Sequence, residues 1–176
     1  MQPELATKGS ANTDHFEVQL EARINEIHYD NAGADIGEFV EIRVGQGQNV
    51  DLVTLELYNG GNGAVYHTAS LANYDVSSSA DGFDFYVIDD IQLQDGSPDG
   101  MALAYDGTVI EFFSYEGTFS ASNGTAEGLT AYDIGVSEPE FGLAGYSLQQ
   151  NSDGTWFGPS PEICGESNPT EDLLLG

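Results

Sequence analysis

Met101-Ala-Leu-Ala-Tyr105-Asp-Gly-Thr-Val-Ile110-Glu-Phe-Phe-Ser-Tyr115 consists of two apolar, strand-favouring runs around Asp106-Gly107. Both turn residues tolerate positive φ, and a two-residue turn of that kind matches the right-handed twist of paired antiparallel strands. The stretch predicts a hairpin of Met101–Tyr105 with Val109–Tyr115. Outward from it the same grammar repeats. Upstream, Phe16–Tyr29, Glu38–Val44, Leu52–Tyr58, Ala64–Thr68 and Phe83–Ile88 are rich in β-branched and aromatic residues, and Gly, Asn and Asp punctuate them. In Glu38–Val44, period-2 alternation puts Val40, Ile42 and Val44 on one face and Glu41 and Arg43 on the other. Asn59-Gly60-Gly61-Asn62-Gly63 suits a tight hairpin between the third and fourth runs. Downstream, a long loop over 116–142 precedes a final pair, Tyr146–Gln149 and Thr155–Phe157.

No stretch combines helical spacing with a cap and a stop over ten residues, so at most a turn of helix is expected in the loops. The fold class is therefore all-β, a sandwich or barrel. At 176 residues the chain suits one core. Residues 1–15 form a flexible N-terminal segment, 16–168 the β domain, and 169–176 a C-terminal linker or tail.

Charge sets the chemical limits. Thirty Asp and Glu face Lys8, Arg23 and Arg43, for a net charge of -27. Self-repulsion of this size is relieved by salt or divalent cations, which fits seawater, a halophile's surroundings or an extracellular space; the same acidity also serves plain solubility. Three basic residues cannot build a phosphate-binding patch, so direct binding to nucleic-acid phosphates is not expected. Glu116 and Glu138 are candidate partners for Arg23 or Arg43. Cys164 is the single cysteine, which leaves it as a buried small residue or as half of a bridge to another part of a parent chain. No apolar run is long enough for a membrane span. The start, Met1-Gln2-Pro3-Glu4, lacks the pattern of a signal peptide, so a secreted protein would carry its signal outside this sequence.

Ile24-Asn-Glu-Ile-His-Tyr-Asp30-Asn-Ala-Gly-Ala-Asp35-Ile-Gly-Glu-Phe-Val-Glu-Ile42 resembles the opening of the bacterial lamin-tail domain family. Further pieces follow in that family's order: Leu57-Tyr-Asn-Gly60, Asp99-Gly-Met-Ala-Leu103, Phe113-Ser-Tyr-Glu-Gly117, Asp133-Ile-Gly-Val136, Ser147-Leu-Gln149, and Thr155-Trp156 with Ser160-Pro161 and Asn168. The resemblance covers roughly residues 22 to 168 and implies an immunoglobulin-like β-sandwich. Bacterial domains similar to this one are commonly attached to secreted nucleases, phosphatases and other surface proteins. It thus implies a non-catalytic accessory module, extracellular or at the cell surface, partnered by a neighbouring catalytic domain of the parent chain. Shared fold alone is an associational warrant for that task.

Asp30, Asn31, Asp35 and Glu38 place four oxygen-bearing side chains within nine residues, with Gly33 and Gly37 allowing a tight path. Hard cations want six to eight oxygens, so calcium is the candidate cofactor of this loop; the alternative is an Asx-turn loop whose carboxylates cap amides or stay solvated. Trp156 with Tyr58 and Tyr66, together with Tyr74 and Tyr146, is a candidate platform for sugar rings, although aromatics at strand positions also serve as core. Extracellular DNA could be held only through bridging calcium. His28 and Asp30 share one side of a regular strand, which suggests a base and its orienter, but no serine in a nucleophile elbow accompanies them. No Walker loop, dinucleotide fingerprint or Cys/His zinc set is present, and an enzyme is not expected. The competing class is a carbohydrate-binding or surface adhesion module.

Overall fold

A computed structural model describes residues 20–168. The N-terminal segment 1–15, the first four residues of the predicted first strand and the tail 169–176 lie outside the described residues.

The chain folds as an all-β, immunoglobulin-like sandwich of two sheets. Its strands are β1 (Ala22–His28), β2 (Phe39–Gly45), β3 (Val53–Asn59), β4 (Ala64–Ser70), β5 (Ser78–Ala80), β6 (Phe83–Ile88), β7 (Asp99–Tyr105), β8 (Thr108–Tyr115), β9 (Tyr132–Asp133), β10 (Tyr146–Gln150) and β11 (Trp156–Pro161). One sheet runs β11-β10-β1-β2-β6-β5 and the other β4-β3-β7-β8-β9. Neighbours are antiparallel except for β8 with β9. A single 3-10 turn, Leu71–Asn73, follows β4.

The predicted hairpin is β7-β8, and Asp106 and Gly107 take φ of 48° and 72° in its turn. A second Asp-Gly pair, Asp81 and Gly82 with φ of 52° and 84°, closes β5 onto β6. Alternation works as expected on β2: Val40, Ile42 and Val44 enter the core between the sheets, where they meet Ile24, Ile27, Leu55, Leu57, Leu103 and Leu148. Burying a Leu, Ile or Val contributes roughly 1.5–3 kcal/mol each, so this layer supplies the main drive for folding. Two aromatic pairs close its ends, with Tyr29 stacked on Tyr115 at 4.1 Å and Phe113 tilted on Trp156 at 4.9 Å.

Neither sheet leaves its outer face bare. On the outside of the second sheet, Tyr58, Ala102 and Phe112 pack against Phe119, Ala121, Ala126 and Ala131 from the long loop. Glu56 fastens that loop, because its Oε2 accepts Thr125 N at 2.8 Å, Thr125 Oγ1 at 2.7 Å and Tyr58 Oη at 2.6 Å. On the outside of the first sheet, the segment after β11 crosses β1 and β2.

Candidate functional site

A trough of about 910 Å³ lies at the edge of the second sheet. Its walls include Asp35 and Glu38 from the loop before β2, Tyr66 and His67 from edge strand β4, and Asp90 and Asp95 from the segment after β6. Each wall is held by a bond to backbone. Glu38 Oε2 accepts Leu93 N at 3.1 Å, Gln94 N donates to Tyr66 Oη at 3.2 Å, and Tyr115 Oη donates to Gln94 O at 2.6 Å. Asp90 accepts Tyr74 Oη at 2.7 Å. Burial raises Glu38 above the ordinary carboxylate range, and Asp35 and Asp95 add to the shift. The same concentration of negative field favours a cation in the trough.

The structure separates the four residues of the predicted calcium loop. Asp35 and Glu38 face the trough, whereas Asp30 lines an apolar hollow with Pro139, Phe141, Leu143 and Pro159. Asn31 is buried, and its amide donates to Ile36 O at 3.0 Å and contacts His28 Nε2 at 3.0 Å. Among the described residues no three His, Cys, Asp or Glu side chains converge closely enough to hold a metal ion. The trough's carboxylates line a basin instead of forming one coordination shell.

The aromatic platform is corrected more sharply. Tyr58 is 0% exposed under the long loop and Trp156 is 7% exposed in the core, so neither offers a face to a sugar. Tyr66 alone reaches the trough. Strand alternation cannot distinguish a solvated outer face from one that a loop covers.

His28 meets Glu138 and not Asp30. Its Nδ1 lies 2.8 Å from Glu138 Oε1 and both residues are buried. Burial opposes charging the ring, yet the Glu138 carboxylate outweighs it and His28 titrates above its ordinary range. With Nδ1 protonated the ring is neutral and Nε2 accepts from Asn31. A second proton at Nε2 would turn the Asn31 amide round and cost its bond to Ile36 O. Both ring nitrogens are therefore occupied within the fold. Glu138 and Glu116 are likewise not the partners of the arginines: Glu116 Oε1 accepts Tyr29 Oη at 3.1 Å. Arg23 donates to Asn151 O at 2.8 Å, and the Arg43 guanidinium lies over the Phe83 ring at 4.1 Å. His28–Glu138 is the one contact of salt-bridge geometry among the described residues, and it is ionic only when the ring carries both protons. Cys164 is exposed. Asn123 Oδ1 accepts Val65 N at 2.8 Å and so ties the long loop to β4.

No helix among the described residues is long and apolar enough to cross a membrane. The chain matches no known family model, no curated protein and no solved structure.

Proposed function

We propose that the chain is a non-catalytic accessory or interaction module of lamin-tail type, part of a larger secreted bacterial protein such as an extracellular nuclease or phosphatase. The acidic trough is its ligand-facing site, and calcium is the ion it draws. One observation carries this reading: Asp35, Glu38, Asp90 and Asp95 share one open basin, and none forms an ion pair among the described residues. A site that gathers cations without a tight shell fits the weak, roughly 10⁻⁴–10⁻³ M affinities of extracellular calcium modules. Two further features support it. The His28–Glu138 dyad has no free nitrogen to serve as a base, and Ile36, Phe141 and Leu143 stand exposed on the neighbouring loops as surface for an adjoining domain.

Thermal melts at constant ionic strength test the proposal. Millimolar calcium should raise Tm, a chelator should reverse the rise, and phosphate, ester and glycoside substrates should show no turnover. An unchanged melt would remove calcium from the account, and turnover would remove the non-catalytic reading.

A carbohydrate-binding role has one supporting observation, since Tyr66 shares the trough with Gln92, Gln94 and the carboxylates. Titration with soluble polysaccharides in the presence of calcium separates the two readings.

A further inference from the structure

β1 carries a bulge. Ile24 pairs with Ile42 and Glu26 with Glu41, which leaves Asn25 as the extra residue. Asn25 and Glu26 consequently both act on the outer face beside Glu41. Asn25 Nδ2 donates to Glu41 Oε1 at 2.8 Å, and Ser147 and Gln149 of β10 donate to Glu26 Oε1. The segment 162–168 lies across this cluster. Ile163 N donates to Glu26 Oε1 at 3.1 Å, Gly165 N donates to Glu41 Oε2, and Asn168 Nδ2 donates to Asn25 O at 2.6 Å and Gln150 O at 3.0 Å. Ser78 of β5 fixes Gly165 O from the far side at 2.7 Å. Glu26 and Glu41 are thus fully buried cross-strand neighbours, and among the described residues neither forms an ion pair.

Two desolvated like charges side by side disfavour joint ionisation. The other titratable groups facing the pair are Glu162 and Cys164 on the overlying segment, and each adds only negative charge when ionised. β10 and β5 contribute neutral Ser and Gln groups.

Hydrogen bonding locates the missing proton. Gln149 Nε2 donates to Pro161 O at 2.9 Å, and Asn25 Nδ2 faces Glu41 Oε1 and Glu166 O. The carbonyls cannot donate, so the amides are held in this orientation. Their oxygens, Asn25 Oδ1 and Gln149 Oε1, have no donor, and neither does Glu26 Oε2. Both Glu41 oxygens accept. Glu26 Oε2 is therefore the oxygen on which a hydrogen does most, since it converts one orphan acceptor into a donor for another.

We propose that the Glu26–Glu41 pair retains a proton at neutral pH, seated on Glu26 Oε2, and that this proton latches the segment 162–168 to the sheet until alkaline pH removes it. Burial raises both glutamates above the ordinary carboxylate range, with Glu41 pushed up to about 7. For acids raised in the folded state, the native form binds more protons than the unfolded one. The latch is accordingly strongest below the ordinary value of 4.5 and weakens as pH climbs through the raised value of the folded state. Ionisation then brings water to the carboxylates and lifts the segment by which the chain leaves the sandwich.

Amide hydrogen exchange at pH 5 and pH 8, corrected for intrinsic rates, tests the latch in the wild type and in Glu26→Gln. Gln keeps the accepting Oε1 and places an N–H donor where the proton sits. Protection of Ile163 and Gly165 relative to core Leu103 should fall at least about tenfold in the wild type, because release returns the buried acid to its ordinary range and each unit of separation between the latched and released values is a factor of ten. In Glu26→Gln the fall should be clearly smaller, what remains being the titration of Glu41 alone. A wild-type ratio that does not change, or an equal fall in the variant, overturns the proposal. So does calcium restoring protection at pH 8, which would make an ion and not a proton the latch. Should Glu26→Gln fail to fold, the wild-type ratio with and without calcium decides.

Discussion

Glu138 shows how a single acid can be spent entirely on architecture. Its carboxylate receives His28 Nδ1 at 2.8 Å, Tyr29 N at 2.6 Å and Asp30 N at 2.9 Å, while its own N–H donates to Tyr29 Oη at 2.8 Å. Glu138→Ala leaves a buried imidazole and two amides without partners, and urea unfolding should report a loss of about 3 kcal/mol or more. This role was not legible in the sequence, because 110 residues separate Glu138 from His28 and nothing local marks the pairing. The same reason hid the other half of the trough. Asp35 and Glu38 share one Gly-containing loop and group together in the sequence, whereas Asp90 and Asp95 lie far along the chain and join them only because β2 pairs with β6.

At the scale of elements, turn chemistry carried most of the prediction. Asp106-Gly107 fixed β7 and β8 because positive φ at both positions admits few residues. A Cβ at Gly107 would meet nothing within 4 Å, so Gly107→Ala should cost only backbone strain, roughly 1–2 kcal/mol. Gly100 is different. A Cβ there would lie 2.3 Å from Phe113 O and 3.0 Å from the Phe119 ring, so Gly100→Ala should cost about 3 kcal/mol by displacing the long loop as well as the strand. Comparing the two urea midpoints checks the distinction. β5 and β9 escaped the sequence reading because each is too short, at 3 and 2 residues, to show a period. The outer-face cores escaped for another reason. Tyr58 and Glu41 alternate as exposed residues should, and only the distant segments that fold over them make them buried.

For the whole molecule, charge is the governing quantity. A net charge of -27 with few cations gives a surface whose repulsion is long-ranged at low salt. Raising ionic strength from about 0.01 M to about 0.15 M shortens the screening length from about 30 Å to about 8 Å, and calorimetry should show Tm rising over that range. Calcium should add to this at fixed ionic strength, and Asp35→Asn with Glu38→Gln should reduce the added part while leaving the salt response. The central claim is that the trough beside β4 is where this acidic module meets its cation. It is tested most directly by an amide NMR titration with calcium at constant ionic strength. The account predicts shifts concentrated at residues 34–38, 66–67 and 90–95; shifts spread evenly over the surface, or centred elsewhere, would contradict it.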